Sequence, residues 1–509
     1  MPIAPQKTWR DSFASYLDRR SIALLLLGFS AGLPLLLIFS SLSLWLREAG
    51  VERSTVTMFS WAALFYSFKF IWAPLVDLVP IPFLTRRMGR RRSWLIAAQV
   101  AIMLSVVGMA FINPVNEQQL IYMALLAAGL GLSAATQDIV IDAYRIECAP
   151  VKMQSMLAAS YVAGYRLGMI TSGAGALYLA TFLGASEDAY NYQAWQHTYL
   201  AMAALFLVGI GTTLSMAEPK VLSEQNHTFR AQDYAQLSAL FIVLLSGFIA
   251  TYVFFPKVIT MSGKSGLLAT FTLEALRFFS AVISCSLLAS ASIKTGWVNK
   301  QLVFATWVEP IADFFKRYGK QAVLILVIVG FYRITDIVAG VISNVFYQDL
   351  GFSKNEIATA VKTVGVLVTI LGGFIGGVFA QRFNVMKMLF VGGLLACLTN
   401  LLFVLLSYKG YNLPYLYIAV VADNLTAGLA SAVFIAFLSS LTNLRFTAVQ
   451  YALFSSLMTL FPKLLGGYSG AIVDNVGYAN FFIIATVIGL PVLALIYYLM
   501  HHENFNTQG

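Results

Sequence analysis

The sequence contains apolar runs that are too long for a compact water-soluble fold. The first, SIALLLLGFSAGLPLLLIFSSLSLWL, extends from residue 21 to residue 46 without a charged side chain. About 20 apolar residues in an α-helix cross the hydrocarbon core of a bilayer. Such runs recur along the whole chain, in which only 11% of residues are charged. Because the runs are continuously apolar rather than alternating, they predict an all-α polytopic membrane protein and not a barrel of strands.

Fourteen of these runs are candidate membrane spans. The first is too long for the core of a signal peptide and no small-residue cleavage pattern follows it, so we interpret it as a retained helix. The candidates lie at about 21–46, 56–76, 94–112, 119–142, 155–181, 196–216, 237–256, 267–292, 321–347, 356–380, 386–407, 414–440, 447–472 and 478–500.

Lysine and arginine residues are distributed unevenly between the loops. If the N-terminus is cytoplasmic, segments on its side of the membrane hold 21 of the 33 basic residues, and the opposite loops hold six. Cytoplasmic loops carry the excess of basic residues, so both termini are predicted to be cytoplasmic. The net charge of +10 then reflects topology, and we infer contact with membrane lipid rather than with nucleic acid.

The chain contains an internal repeat. SYLDRRSIALLLLGF at 15–29 resembles DFFKRYGKQAVLILVIVGF at 313–331, since both place aromatic and basic residues before an apolar run. The repeat predicts two six-helix bundles, 1–216 and 313–509, joined by a cytoplasmic linker, 217–312, that contains two extra spans. The three cysteines show no paired or metal-type spacing, so we infer no disulfide, metal or cofactor.

Several charged residues lie inside the predicted spans. A charge at the bilayer centre costs roughly 2.5–3.5 kcal/mol, so such residues usually face a protein interior or a water-filled path. For each residue alone, pairing that holds the bundle together and a role in transport are equal alternatives, whereas the whole set favours a polar interior. Arg333 and Asp336 share a helical face and are predicted to pair. The other charges are Lys69, Arg166, Lys362, Asp423 and Lys463. Glu274 and Arg277, three residues apart on an extra span, are instead interpreted as a local structural pair.

Two acids lie four residues apart in the segment ATQDIVIDAY, at the end of the fourth predicted span. This spacing places Asp138 and Asp142 on one helical face. Burial and mutual repulsion both favour the protonated carboxyl, which makes the pair a candidate for proton coupling. Alternatively, Asp142 forms a gate with the arginines at 86–92. The sequence leaves both roles open.

The loop after the second span contains DLVPIPFLTRRMGRRRSW. Its basic cluster anchors the cytoplasmic side, and it also resembles the cytoplasmic gate motif of the major facilitator superfamily. The matching residues are Asp77, Gly89, Arg90 and Arg91. Ala73 stands where that family has a glycine, an insertion separates Asp77 from the arginines, and the second half has no acid that matches Asp77. The implied gate is therefore asymmetric.

A set of motifs, in order along both halves, resembles the AmpG-type muropeptide permeases. The motifs are FKFIWAPLVD, GRRRSWLIAAQ, ATQDIVIDAY, GYRLGM, VKTVG, VADNLTAG and FTAVQYALFSSL. The resemblance implies a major facilitator fold and proton-driven import of anhydromuropeptides across the bacterial inner membrane. It also implies that Asp138 and Asp142 are essential to transport. Acetyl-CoA transporters of the same superfamily share parts of this pattern.

The sequence thus predicts a monomeric, proton-coupled importer that works by alternating access. Substrate carboxylates are expected at basic residues, and sugars at amide and aromatic residues. A transporter of another large anionic solute, such as an acyl-CoA, is the main alternative. A membrane-embedded enzyme is disfavoured because no nucleophile–base pair or metal-ligand cluster is evident, and the repeat argues against a channel. The predicted substrate cavity contains Lys69, Gln137, Tyr165, Arg166, Tyr332, Arg333, Asp336, Lys362, Asp423 and Asn424.

Overall fold

The computed structural model describes residues 15–52, 55–56, 59, 62, 64–185, 190–219, 230–258, 267–466 and 469–501, and these contain helices and no strand. The helices are α1 (Arg19–Glu48), α2 (64–78), α3 (Arg90–Ala110), α4 (Glu117–Glu147), α5 (154–182), α6 (Tyr192–Ser215), α7 (Ala231–Val258), α8 (Leu267–Lys294), α9 (300–318), α10 (Gln321–Asp349), α11 (354–382), α12 (Val385–Lys409), α13 (Leu413–Leu441), α14 (Thr447–Gly466) and α15 (Ser469–His501). A short helix, Leu84–Met88, precedes α3.

Ten helices in the described ranges are long and apolar enough to cross a membrane. They include α1, α3, α4 and α6 in the first half and five helices of the second half. The predicted all-α membrane class is therefore confirmed, whereas the number of fourteen spans stays a prediction. One predicted span outside the ten is α2, in which a 3-10 turn interrupts the α-helix.

The chain divides into two compact units. The main unit contains residues 1–76, 80–221 and 319–509, and the inserted unit contains residues 77–79 and 222–318. Within the inserted unit α7 packs along α8, and the Cys285 thiol lies 3.2 Å from the Leu244 carbonyl oxygen. We refer to α1–α6 as the N-terminal half and to α10–α15 as the C-terminal half; the predicted domain boundaries at 216 and 312 stay predictions.

Each half contains a pair of helices that approach too closely for a side chain between them. A Cβ atom at Gly164 of α5 would lie 1.9 Å from the Leu25 carbonyl oxygen of α1. A Cβ atom at Gly428 of α13 would lie 2.1 Å from the Thr369 carbonyl oxygen of α11. Small residues permit this approach in membranes, where van der Waals packing holds helices together. The α1–α5 and α11–α13 pairs thus provide firm supports for the charged residues on α5 and α13.

Two helices are interrupted beside an intramembrane cation. In α2 the α-helix Leu64–Phe68 passes into the 3-10 turn Lys69–Ile71 before helix resumes at Ala73. In α10 the helix Gln321–Phe331 ends, and Arg333 is the N-cap residue of Ile334–Asp349. Interrupted helices at membrane depth are common at transporter binding sites, because the freed backbone groups line a cavity.

Candidate functional site

Asp142 lies between two cations in the N-terminal half. Its Oδ2 is 3.5 Å from Lys69 Nζ of α2, and its Oδ1 is 3.6 Å from Arg145 Nη2, less than one turn further along α4. All three residues are buried, with 9% of Asp142, 7% of Lys69 and 0% of Arg145 exposed. The two cations compensate the carboxylate, which would be costly to bury alone.

Asp138 lies one turn earlier on α4, among phenolic side chains. It accepts a hydrogen bond of 3.2 Å from the Tyr161 hydroxyl of α5. Tyr66 of α2 and Tyr165 of α5 also interact electrostatically with Asp138, as does Lys69. The electrostatic neighbours of this carboxyl group thus include one cation and three phenolic side chains, of which Tyr161 donates a hydrogen bond to it.

The C-terminal half contains a second pair of intramembrane acids. Arg333 Nε lies 3.7 Å from Asp336 Oδ2, so the predicted pair is present. The Thr335 hydroxyl donates to the other oxygen of Asp336 at 3.4 Å. Asp423 of α13 accepts a hydrogen bond of 3.2 Å from the Thr399 hydroxyl of α12 and interacts electrostatically with Asp336. Arg333 is thus the cation that pairs with Asp336, and Thr399 is the neutral donor to Asp423.

Arg166 of α5 has no compensating acid among the described residues. Its electrostatic neighbours are Arg333 of α10 and Tyr165. Two guanidinium groups, one from each half, therefore act on each other as like charges. Arg333 Nε is also buried without a hydrogen-bond partner in the described structure. Planar guanidinium donors match carboxylate and phosphate groups, so this arrangement can bind an anion.

The two halves contact each other at the end of the bundle where α4 ends and α5 begins, which we call the closed end. Arg145 Nη1 donates a 2.8 Å hydrogen bond to Ser439 Oγ of α13. The same guanidinium lies 5.0 Å from the centroid of the Tyr451 ring of α14. Ser155 Oγ of α5 donates to the Gly377 carbonyl oxygen of α11 at 3.1 Å. Arg145 therefore both compensates the α4 carboxylate and ties the halves together.

The gate-motif residues form a separate cluster at the start of α3. Arg91 Nε donates to Glu147 Oε2 at 2.9 Å. Glu218, which follows α6, accepts hydrogen bonds from the backbone N–H groups of Arg91 and Arg92 at 2.7 and 3.0 Å, and so caps α3. Gly89 has φ +85°, a conformation that side chains disfavour, and it leaves room for the Glu218 carboxylate.

The structure differs from the predicted pairing of Asp142 with the arginines at 86–92. In the described chain Asp142 pairs with Lys69 and Arg145, while Arg91 pairs with Glu147, which lies more than a turn closer to the end of α4. Asp77 is buried near the end of α2, and Arg90 is the first residue of α3. Their gating roles stay predictions.

Three residues predicted to contact sugars use their polar groups inside one half. Gln137 is 0% exposed and accepts a hydrogen bond from Ser30 of α1 at 3.5 Å. The Tyr332 hydroxyl donates to a backbone carbonyl of α12 at 3.0 Å, and its ring stacks on Phe434. Asn424 accepts from the Thr369 hydroxyl of α11 at 2.8 Å. In this conformation all three support the walls of the site, whereas Tyr165 lies beside Arg166.

The side chain of Lys362 lies outside the described residues. Sequence reasoning missed four contributors: Tyr161, Arg145, Glu147 and Glu218. The helical spacing of Arg145 from Asp142 was a usable signal, because residues three apart on a helix are neighbours. Nothing in the sequence connects Glu218 with the start of α3, since that contact joins distant parts of the chain.

Comparison with known proteins agrees with this architecture. Residues 322–508 match the family described as Major Facilitator Superfamily, and residues 21–193 match the one described as Acetyl-coenzyme A transporter 1. The proton:xylose symporter XylE, solved with 6-bromo-6-deoxy-D-glucose, is similar with a TM-score of 0.59 at 13% identity, over 95% of this chain and 96% of that chain. This likeness concerns the fold alone. Together with the apolar helices, these matches define a membrane transporter of the major facilitator superfamily and not an enzyme.

More similar relatives narrow this class. A protein of Rickettsia conorii that carries the name AmpG 4 is 32% identical over 95% of this chain and 97% of its own length. The anhydromuropeptide permease of Escherichia coli K12 is 30% identical over 94% of this chain and 79% of its own length. The chain belongs to the AmpG family of transporters.

Proposed function

We propose that this transporter imports anhydromuropeptides, GlcNAc-anhydroMurNAc peptides, across the bacterial inner membrane for peptidoglycan recycling. The observation that carries the proposal is the electrostatic repulsion between Arg166 and Arg333, which come from opposite halves, with Asp336 as the acid among the described residues that pairs with either of them. A muropeptide brings several carboxylates on its peptide. A carboxylate between the two guanidinium groups would cancel their repulsion and link the halves.

A substrate bound in this way would contact both halves at once. Alternating access requires a site near the middle of the membrane between two bundles that move relative to each other. Arg166 lies on α5, and Arg333 lies at the interruption of α10. We assign Tyr165, beside Arg166, and Lys69 to the same cavity. Gln137, Tyr332 and Asn424 position the helices around it.

We propose protons as the coupling ion. Asp138 is the coupling acid of the N-terminal half, because it is 8% exposed and its hydrogen bond comes from a neutral hydroxyl, that of Tyr161. Asp142 and Arg145 act in gating, together with Asp77, Gly89, Arg90 and Arg91. Because the sequence contains no nucleotide-binding P-loop, ATP is not the direct driver. With both termini in the cytoplasm, the closed end faces the cytoplasm, and the transporter acts as a monomer without a cofactor.

Uptake in proteoliposomes tests this function. Labelled GlcNAc-anhydroMurNAc tripeptide should accumulate unmodified against its gradient when a proton gradient is imposed, and an uncoupler should abolish the accumulation. Asp138→Asn should lose accumulation. Asp349→Asn, which removes an exposed acid at the end of α10, is the matched control and should accumulate like the wild type. Uptake that survives the uncoupler and requires ATP would contradict the proposal.

An acyl-CoA is the second candidate substrate, because residues 21–193 match the family described as Acetyl-coenzyme A transporter 1. Its phosphates would also suit the two guanidinium groups. Competition separates the candidates. The muropeptide assignment stands if blocking tripeptide uptake requires a concentration of unlabelled acetyl-CoA at least 100-fold higher than that of unlabelled tripeptide. If acetyl-CoA blocks at the lower concentration, the acyl-CoA is favoured.

A further inference from the structure

One side of α9 is an apolar stripe that the described chain leaves exposed. Four large apolar side chains recur there at intervals of three or four residues, and each is 42–53% exposed: Phe304, Val308, Ile311 and Phe315. Residues at these intervals share one face of a helix. The other face is covered, since Thr306 and Phe314 are 0% and 4% exposed. An amphipathic helix normally turns its apolar face inward, so this outward stripe requires a partner outside the chain.

Short connections hold both ends of α9 beside apolar helices. The turn 295–299 joins it to α8, whose last part, Phe279–Lys294, is an apolar helix with exposed apolar side chains. Gly319 and Lys320 separate it from α10, one of the ten helices that can cross a membrane. A residue spans at most about 3.6 Å of chain, so neither end of α9 can lie far from its neighbouring helix. A helix tethered in this way at both ends lies along the membrane surface.

The charged side chains that α9 exposes are basic. Three exposed lysines flank the stripe, in α9 and directly after it: Lys300, Lys316 and Lys320. The acids of α9 are less accessible, since Asp313 is half-buried and pairs with Arg317 at 2.9 Å, and Glu309 is also half-buried. A lysine beside an apolar surface lays its stem along that surface and keeps its ammonium group in water. The phosphates of anionic lipids attract basic segments at this level.

We propose that α9 lies in the lipid–water interface, with the stripe among the acyl chains and the three lysines on the phosphates of anionic phospholipids. Trp297, 40% exposed in the turn before α9, adds an aromatic side chain of the kind enriched at this depth. Binding of interfacial helices combines burial of an apolar face with attraction to anionic lipids, and α9 supplies both. A second copy of the chain fits the stripe poorly, because a symmetric contact would bring the lysines of both copies together.

Photo-crosslinking in the full-length protein tests what the stripe contacts. Benzoylphenylalanine in place of Ile311 forms a bond to the nearest C–H group on illumination, and mass spectrometry identifies the captured molecule. The protein is placed in nanodiscs of equal parts phosphatidylglycerol and phosphatidylcholine with the same acyl chains. The probe should capture lipid, with phosphatidylglycerol enriched about fivefold, the preference that one basic residue near an anionic headgroup provides.

Two other probe positions and one variant are the matched controls. Benzoylphenylalanine in place of Leu125, an exposed residue of α4, should capture both lipids in the proportion of the mixture. In place of Ser440, exposed at the closed end, it should capture no lipid. The triple variant Lys300→Gln, Lys316→Gln and Lys320→Gln should still capture lipid at position 311 but should lose the enrichment of phosphatidylglycerol.

The identity of the adduct decides between the partners of the stripe. Equal capture of the two lipids at position 311 would overturn the recognition of anionic headgroups, and so would an enrichment that the triple variant retains. A crosslink to a second copy of the chain, or no lipid adduct, would overturn the interfacial position of α9. None of these readouts depends on transport, so they are independent of the proposed function.

Discussion

Among the described residues, the two halves hold their intramembrane acids with different cations. In the N-terminal cluster Asp142 lies between Lys69 and Arg145. In the C-terminal cluster Asp336 pairs with one cation, Arg333. A carboxylate between two cations can stay ionised through a transport cycle, whereas a carboxylate that depends on a single arginine can lose it to an anionic substrate. The same residue types thus suit a lock in one half and an anion site in the other.

The arginines of the two clusters also act differently across the interface between the halves. Arg145 attracts the C-terminal half, through the Ser439 hydroxyl and the Tyr451 ring. Arg333 meets the like charge of Arg166. One contact holds the closed end together, and the other opposes the approach of the halves until an anion lies between them. This difference indicates how a substrate can act on the conformational equilibrium. The lock stabilises the closed end, and the bound anion removes the repulsion between the halves.

The largest effect is expected from Arg145→Ala, which removes the lock. The contacts of Arg145 across the halves are a hydrogen bond from a charged group, which contributes about 1.5–3 kcal/mol, and a cation–π contact, which contributes about 0.5–2 kcal/mol. Their loss is enough to change the population of the closed state about 30-fold or more. Spin labels at Val151 and Ser440, both exposed at the closed end, should report longer distances in this variant. Arg445→Ala, an exposed arginine at the same end, is the control. An unchanged distance distribution would remove Arg145 as the lock.

A smaller effect is expected when the anion site loses one arginine. Hydrogen bonds to charged groups contribute about 1.5–3 kcal/mol, so Arg166→Ala should weaken tripeptide binding roughly 10- to 150-fold. The affinity of Arg166→Lys for the tripeptide should lie between those of the wild type and Arg166→Ala. The matched probe is GlcNAc-anhydroMurNAc without its peptide, which lacks the peptide carboxylates. An equal loss of affinity for both probes would show that Arg166 does not bind the peptide part of the substrate.

The pair in the C-terminal half can be tested by removing both partners. Arg333→Ala strands Asp336, whereas Arg333→Ala with Asp336→Ala removes both charges. The double variant should therefore unfold at a higher temperature than the single variant, by an amount equivalent to about 1–3 kcal/mol. Neither variant should accumulate tripeptide, because both lack Arg333 of the proposed anion site. A double variant that is no more stable than the single one would argue that Asp336 is not held by Arg333.

A single added methyl group should destabilise the two helix pairs that support the clusters, α1–α5 and α11–α13, to a similar extent. Gly164→Ala and Gly428→Ala place Cβ 1.9 and 2.1 Å from a carbonyl oxygen, and overpacking costs about 1–3 kcal/mol. Thermal unfolding in detergent measures this loss. Gly211→Ala of α6, where nothing lies within 4 Å, is the control and should be unaffected or slightly stabilised. Destabilisation confined to one half would show that the supports are not equivalent.

The smallest effect concerns an acid with hydroxyl partners outside the membrane-spanning segments. The Tyr411 hydroxyl, and next the Ser353 backbone and hydroxyl groups, lower the pKa of Glu356 below its ordinary value. Tyr411→Phe should therefore raise this pKa, so that Glu356 becomes protonated at a higher pH. Carbodiimide labelling, which needs the protonated carboxyl, should begin at higher pH in the variant. The same onset in both proteins would mean that hydroxyl donors have little influence on exposed acids here.

Much of the architecture could be predicted because the bilayer imposes a strong constraint on sequence. Long apolar runs and the bias of basic residues need no tertiary information. The pair Arg333–Asp336 was also predictable, since both residues lie on one helical face. The interruption of α2 at Lys69 was also predictable, because Pro74 lacks a backbone N–H and its ring clashes with the carbonyl group of Phe70, four residues earlier, which disfavours a continuous helix.

Contacts between distant segments could not be read from the sequence. Arg145 and Ser439 are 294 residues apart, and only the packing of α4 against the C-terminal half brings them together. Gln137 adjoins Asp138 in the sequence, yet the helical rotation between neighbours turns it toward Ser30 of α1. Residue type identified the charged candidates, and the fold decided which were compensated.

The central claim is that the two acids of α4 have different roles, Asp138 in proton coupling and Asp142 in the lock. It is tested most directly by proton-driven accumulation measured beside counterflow, the exchange of labelled for unlabelled tripeptide without a proton gradient. Asp138→Asn should lose accumulation and keep counterflow, because binding and movement remain while the coupling acid is gone. Asp142→Asn should lose both, because it leaves Lys69 and Arg145 without their carboxylate. Normal accumulation by Asp138→Asn, or the same defect in both variants, would contradict the account.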